Sequence, residues 1–114
     1  MTIPHPLCRL DDIPDGQAKG ISWGVGSARE DILVVRRGDA AYGYRNRCPH
    51  VGTSLDWTPG QFMSADGRHL HCATHGALFR VEDGFCVHGP CAGRSLSAVP
   101  VRVQDGAVLL VEPI

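Results

Sequence analysis

Basic charge is scarce in this sequence. Lysine occurs once, at Lys19, and the ten arginines are scattered through 114 residues whose net charge is −1. Without a basic stripe there is nothing to neutralise a row of phosphates, which argues against nucleic-acid binding. Long apolar runs are missing too: no stretch approaches the roughly 20 residues that cross a bilayer as a helix. Met1–Cys8 has no basic start leading into an apolar run, as a secretion signal would. The expectation is a soluble, cytoplasmic protein with no membrane contact. No window carries the 3.6-residue apolar period of an amphipathic helix. Glycine-rich dinucleotide fingerprints are also absent, as is a two-histidine, one-carboxylate set for mononuclear iron. These gaps argue against a chain that turns over a substrate by itself.

What is present is a series of short β-prone runs closed by turn dipeptides. Asp31–Arg36 and Ala41–Arg45 flank Gly38-Asp39, whose leading glycine suits a type II′ hairpin turn. Asp66-Gly67 separates Gln61–Ser64 from Arg68–His71, and Asp83-Gly84 separates Ala77–Val81 from Phe85–Val87. Asp105-Gly106 separates Val99–Val103 from Ala107–Val111. A strand near Leu7–Leu10, a turn at Pro14–Gly16 and a strand near Lys19–Trp23 complete the base. The pattern predicts an all-β fold of small antiparallel sheets, with Arg47–Pro59 and Cys72–Gly76 as irregular loops.

Five cysteines in a reducing compartment suggest metal or redox chemistry more than a disulfide framework, and the odd count agrees. Two pairs stand out: Cys48-Pro49-His50 and, twenty-one residues on, Cys72-Ala73-Thr74-His75. Thiolate plus neutral imidazole in two pairs can serve zinc or an iron–sulfur centre. Cys-x-His is an awkward knuckle for structural zinc, where ligands are usually spaced more widely. In a mixed cluster both thiolates can go to one iron and both imidazoles to the other.

Cys48-Pro-His-Val-Gly-Thr-Ser-Leu55 followed by Cys72-Ala-Thr-His-Gly-Ala-Leu-Phe79 resembles the ligand pattern of Rieske [2Fe-2S] ferredoxins. The resemblance runs from about Ile32 to Val111, and Gly84–Gly93 is similar to that family's cover segment. It implies a single Rieske domain over residues 1–114, with a cluster-binding subdomain at about 46–92. It further implies one [2Fe-2S] cluster on Cys48, His50, Cys72 and His75, and no catalytic residues. The role implied is an electron carrier between a reductase and a terminal oxygenase or similar oxidoreductase. Replacing two thiolates by imidazoles makes reduction easier and places the potential at roughly −150 to +300 mV. Proton-coupled reduction at higher pH is expected from the imidazole ligands.

Respiratory-complex relatives add a disulfide between the two ligand loops, and hydroxyls that donate to cluster and ligand sulfurs. The matching positions here are Thr53 and Thr74, then Ala77 and Phe79, so the bridge and the donors are missing. Fewer donors mean less stabilisation of added negative charge, so a low-potential centre is expected. An alternative is a small subunit of a larger oxidoreductase, similar to that of assimilatory nitrite reductase; another is a zinc-stabilised binding module. Among the remaining residues, His69 and His71 are read as ordinary strand residues sharing a face, and His5 and His88 as solvent-facing. Cys86 and Cys91 are read as semi-buried thiols rather than a disulfide, and Cys8 as a plain strand cysteine. Gly52 and Gly76 would allow sharp turns beside the histidines, and Pro90 would shield the cluster or stiffen its loop. Trp23 and Trp57 are read as packing residues.

Overall fold

The computed structural model describes residues 4–23, 30–49, 55–56, 61–72, 76–91 and 93–112. The described residues form ten strands: β1 (His5–Arg9), β2 (Ala18–Trp23), β3 (Glu30–Arg37), β4 (Ala40–Arg45), β5 (His69–Cys72), β6 (Ala77–Arg80), β7 (Cys86–His88), β8 (Ala98–Val99), β9 (Val101–Gln104) and β10 (Ala107–Leu110). They form three antiparallel sheets, ordered β1-β10-β9, β2-β3-β4-β8 and β5-β6-β7. One 3-10 turn, Leu10–Asp12, follows β1. The expected all-β architecture is therefore present. No helix among the described residues is long and apolar enough to cross a membrane.

β3 organises the molecule. Its run Ile32-Leu33-Val34-Val35 is continuous rather than alternating, and all four residues are fully buried. Such a run belongs to a strand covered on both faces. Leu33 and Val35 enter the large core cluster that also holds Cys48, Cys72, Cys86 and Cys91. Val34 packs with Leu10, Ile13 and Val108, and Ile32 with Val99 and Leu110. One face of β3 thus supports the cysteine-bearing region, and the other face meets the sheet of the two chain ends.

The hairpins follow the turn chemistry. Arg37 pairs with Ala40 around Gly38-Asp39, and Gly38 has φ +61° while Asp39 stays negative, the predicted type II′ arrangement. Asp105 (φ +52°) and Gly106 (φ +76°) make a type I′ connection between β9 and β10. Two expectations are corrected. Val99–Val103 is two strands, because Pro100 cannot donate to a ladder: β8 ends on β4 before it, and β9 pairs with β10 after it. Gln61–Ser64 is no regular strand; Met63 makes only an isolated bridge to Leu70. There Ser64 Oγ takes the His69 N–H and bonds Asp66, which closes the ladder into a turn. At the β4–β8 junction a Cβ on Gly43 would sit 2.8 Å from the Val99 carbonyl oxygen, so only glycine permits this approach.

Tyr44 on β4 ties the central sheet to the cysteine-bearing one. Its hydroxyl donates to the Val81 carbonyl at 2.5 Å in a buried setting. Burial first, then the nearby Asp83 and Glu82, push the phenol well above its usual value near 10. The neutral form is favoured by the fold, so its contribution is whole below pH about 10 and is lost as pH rises further. Tyr44→Phe leaves a buried carbonyl without its donor and should cost about 1–3 kcal/mol in urea denaturation at neutral pH. The variant should also lose less stability than wild type between pH 10 and 11. Equal stability of the two proteins at neutral pH would contradict this role.

Candidate metal centre

Cys48 lies just beyond the end of β4, in a loop held at both ends by one side chain. The Asn46 amide oxygen accepts the Leu55 N–H at 2.8 Å, and its nitrogen donates to Asp56 Oδ1 at 2.9 Å. The Asn46 N–H in turn donates to the Asp31 carbonyl at 2.9 Å, anchoring the clamp to β3. Cys48 is 1% exposed and Leu55 is fully buried, so both ends of the segment dip into the core. Asn46 and Asp56 were not singled out from the sequence. The only trace was a polar pair flanking the first Cys-x-His motif, a weak signal because asparagine and aspartate are common in any loop.

Cys72 closes β5 and pairs with Ala77 at the start of β6. The Gly76 N–H donates to the Cys72 carbonyl at 2.9 Å, and Gly76 has the positive φ of +71° that glycine adopts without strain. Cys72, Ala77 and Phe79 are each fully buried. The alternation along β5 puts Leu70 and Cys72 inward and leaves His69 and His71 half-buried on the opposite face, as expected for strand residues.

The third wall is the segment from β7 to Arg94. Cys86 and Cys91 are fully buried rather than semi-buried, and no disulfide joins any of the five cysteines. Cys86 Sγ donates to the His88 carbonyl at 3.2 Å, and Cys91 Sγ lies 3.6 Å from Cys48 Sγ. Gly89 has φ +101°, and a Cβ there would meet the Ala77 Cα at 2.8 Å, so glycine lets this segment lie directly on β6. Pro90 is exposed on its outer side. Cys8 is half-buried on β1; burial and Asp12 raise its thiol, partly offset by Lys19, which leaves it a strand residue. His88 is exposed as expected, whereas His5 is half-buried.

His50 and His75 lie outside the described residues, as do Gly52, Thr53, Trp57 and Thr74. Trp23 belongs to β2. The thiolate half of the expected site is therefore what the structure places. Cys48 and Cys72 share one apolar cluster, and no polar or charged residue is buried among the described residues. A thiolate in such surroundings is costly unless a metal carries the compensating charge. Two soft, buried sulfurs on a clamped loop and an adjoining hairpin suit iron in an iron–sulfur centre.

A family model described as Rieske [2Fe-2S] domain matches residues 4–105. The chain belongs to this family. Among solved structures it is similar to the ferredoxin of carbazole 1,9a-dioxygenase from Nocardioides aromaticivorans IC177, at 25% identity and a TM-score of 0.74 over 98% of this chain and 100% of that one. It is also similar to a chain of a complex of reduced oxygenase and oxidized ferredoxin in carbazole 1,9a-dioxygenase, at 25% identity, a TM-score of 0.75, and coverage of 97% and 94%. A third match is the terminal oxygenase of carbazole 1,9a-dioxygenase from Novosphingobium sp. KA1. At 20% identity, with a TM-score of 0.77 over 94% of this chain and 29% of that one, it shows a shared fold alone. No curated protein matches by sequence. The Rieske domain carries one [2Fe-2S] cluster and transfers electrons through it; it is a carrier and not a catalyst.

The Asn46 clamp yields a direct test. Asn46→Ala removes the acceptor of the Leu55 N–H and one donor to the Asp56 carboxylate and should lower stability by about 1–3 kcal/mol. Thermal or urea denaturation reads this, and stability equal to wild type would show that the loop is held otherwise.

Proposed function

We propose that this Rieske protein is a low-potential ferredoxin that takes one electron from a reductase and hands it to a terminal oxygenase. Its cluster is held by Cys48 and Cys72 on one iron and by His50 and His75 on the other. The whole chain, residues 1–114, serves as one domain, with the ligand loops inside about 46–92. The observation that carries this reading is the burial of Cys48 and Cys72 in one apolar cluster, on the two segments bearing the family's Cys-x-His and Cys-x-x-His motifs. Full-length similarity to a ferredoxin of a dioxygenase system, and to a chain from an oxygenase–ferredoxin complex, supports the choice of acceptor. A cytoplasmic setting fits five cysteines with no disulfide.

When bound, the group supplies a one-electron couple whose potential is set by ligand charge, hydrogen bonds to sulfur and solvent access. The chain's own residues act on the last two. Leu55, Phe62, Leu70, Phe79 and Val81 exclude water around the cysteines. Ala77 and Phe79, both buried beside the second ligand motif, offer no hydroxyl to stabilise added negative charge. The potential is accordingly low for a centre of this ligand type.

The purified protein should be red-brown, bleach on dithionite reduction and then give an EPR signal. Its midpoint should fall in the lower half of the range of roughly −150 to +300 mV, and a value well above about +100 mV would overturn the low-potential assignment. Phe79→Tyr, which adds a donor in the buried cluster, should raise the midpoint. Cys48→Ser and Cys72→Ser should each lose the visible spectrum. A colourless, zinc-loaded wild-type protein would overturn the ligand reading itself.

A further inference from the structure

Cys91 belongs to neither ligand motif, yet it is fully buried in the same cluster as Cys48 and Cys72. Its Sγ lies 3.6 Å from Cys48 Sγ, within reach of a sulfur-centred hydrogen bond. The approach is built, since the backbone around Cys91 is closed on itself. Arg94 N–H donates to the Cys91 carbonyl at 2.8 Å, and the Arg94 carbonyl accepts the Cys86 N–H at 2.8 Å. The Arg94 guanidinium then reaches across to the Pro49 carbonyl at 3.2 Å, the residue next to Cys48. One short segment therefore grips the first ligand loop twice, once at the backbone and once at the sulfur. Cys86 is turned to a different task, its thiol donating to the His88 carbonyl.

We infer that Cys91 is a positioning residue whose thiol donates a hydrogen bond to the Cys48 sulfur and thereby raises the reduction potential of the centre. This role presupposes Cys48 as a ligand. A metal-bound sulfur carries no proton, so in this pair the donor is Cys91 and the acceptor Cys48. Reduction adds negative charge to the cluster and its sulfurs, so the hydrogen bond strengthens in the reduced state and favours it. Ala77 and Phe79 supply no hydroxyl from the second loop, and Cys91 offers a weaker donor from a third segment. The centre remains low in potential, but less so than its ligand loops alone would make it.

The test uses the cluster-loaded protein and three forms: wild type, Cys91→Ala and Cys91→Ser. Cys91→Ala should lower the midpoint, changing the reduced-to-oxidised ratio at a fixed applied potential by about threefold to tenfold. Tenfold corresponds to about 59 mV for one electron. Cys91→Ser restores a donor of similar size and should return the midpoint to the wild-type value or above it. Resonance Raman spectroscopy gives an independent reading, because exchange into D2O should shift a Fe–S mode in wild type that does not shift in Cys91→Ala. A packing role alone would leave that isotope effect in place. Three equal midpoints with intact spectra, or a serine variant as low as the alanine variant, would overturn the role of Cys91 while leaving the ligands standing. Loss of the visible spectrum in none of the Cys48 and Cys72 variants would instead remove the ligand reading on which it rests.

Discussion

Everything in this fold hangs on a four-residue apolar run in β3 that is covered on both faces. Ile32, Leu33, Val34 and Val35 cannot face water on either side without losing about 1.5–3 kcal/mol each in burial. Two layers must therefore form. On one side the chain ends supply β1, β9 and β10, with Val108 and Leu110 inward. On the other side the middle of the chain supplies Leu55, Phe62, Leu70, Phe79 and Val81. Cys48, Cys72, Cys86 and Cys91 lie in this second layer, so the proposed redox site is part of the core rather than an attachment to it.

That placement sets the chemistry. Cys48, Cys72, Cys86 and Cys91 are gathered in an interior where no charged residue is buried among the described residues. A thiolate there depends on metal for its charge balance, which couples cluster binding to the integrity of the core. Each motif enters on a different support. Asn46 fixes the first segment to β3, and the β5–β6 pairing fixes the second. The third, from Cys86 to Arg94, is laid over β6 through Gly89. Rigid strands on three sides hold the loops that do the work.

Membership of the Rieske family gives the chain one [2Fe-2S] cluster. The function is the passage of one electron, and what varies among relatives is how strongly the surroundings favour the reduced state. Here alanine and phenylalanine, Ala77 and Phe79, both fully buried, stand where hydroxyls occur in high-potential relatives. The buried Cys91 thiol lies 3.6 Å from the Cys48 sulfur, a contact between side chains that the second loop's alanine and phenylalanine do not offer.

The sequence by itself determined the all-β class, most turns, the two cysteine–histidine motifs and the hydroxyl-free positions Ala77 and Phe79. These are local facts, written in alternation, Asp-Gly pairs and fixed spacings over a few residues. It did not reveal that Pro100 splits one apparent strand between two sheets, because which ladder a strand joins depends on distant partners. Nor did it reveal that Cys86 and Cys91 are fully buried, that Asn46 clamps a loop through Leu55 and Asp56, or that Cys91 meets Cys48. Each of those contacts joins residues whose neighbourhood exists only after the strands have paired. The identity of the metal centre was local and legible; the setting that tunes it was decided by tertiary packing.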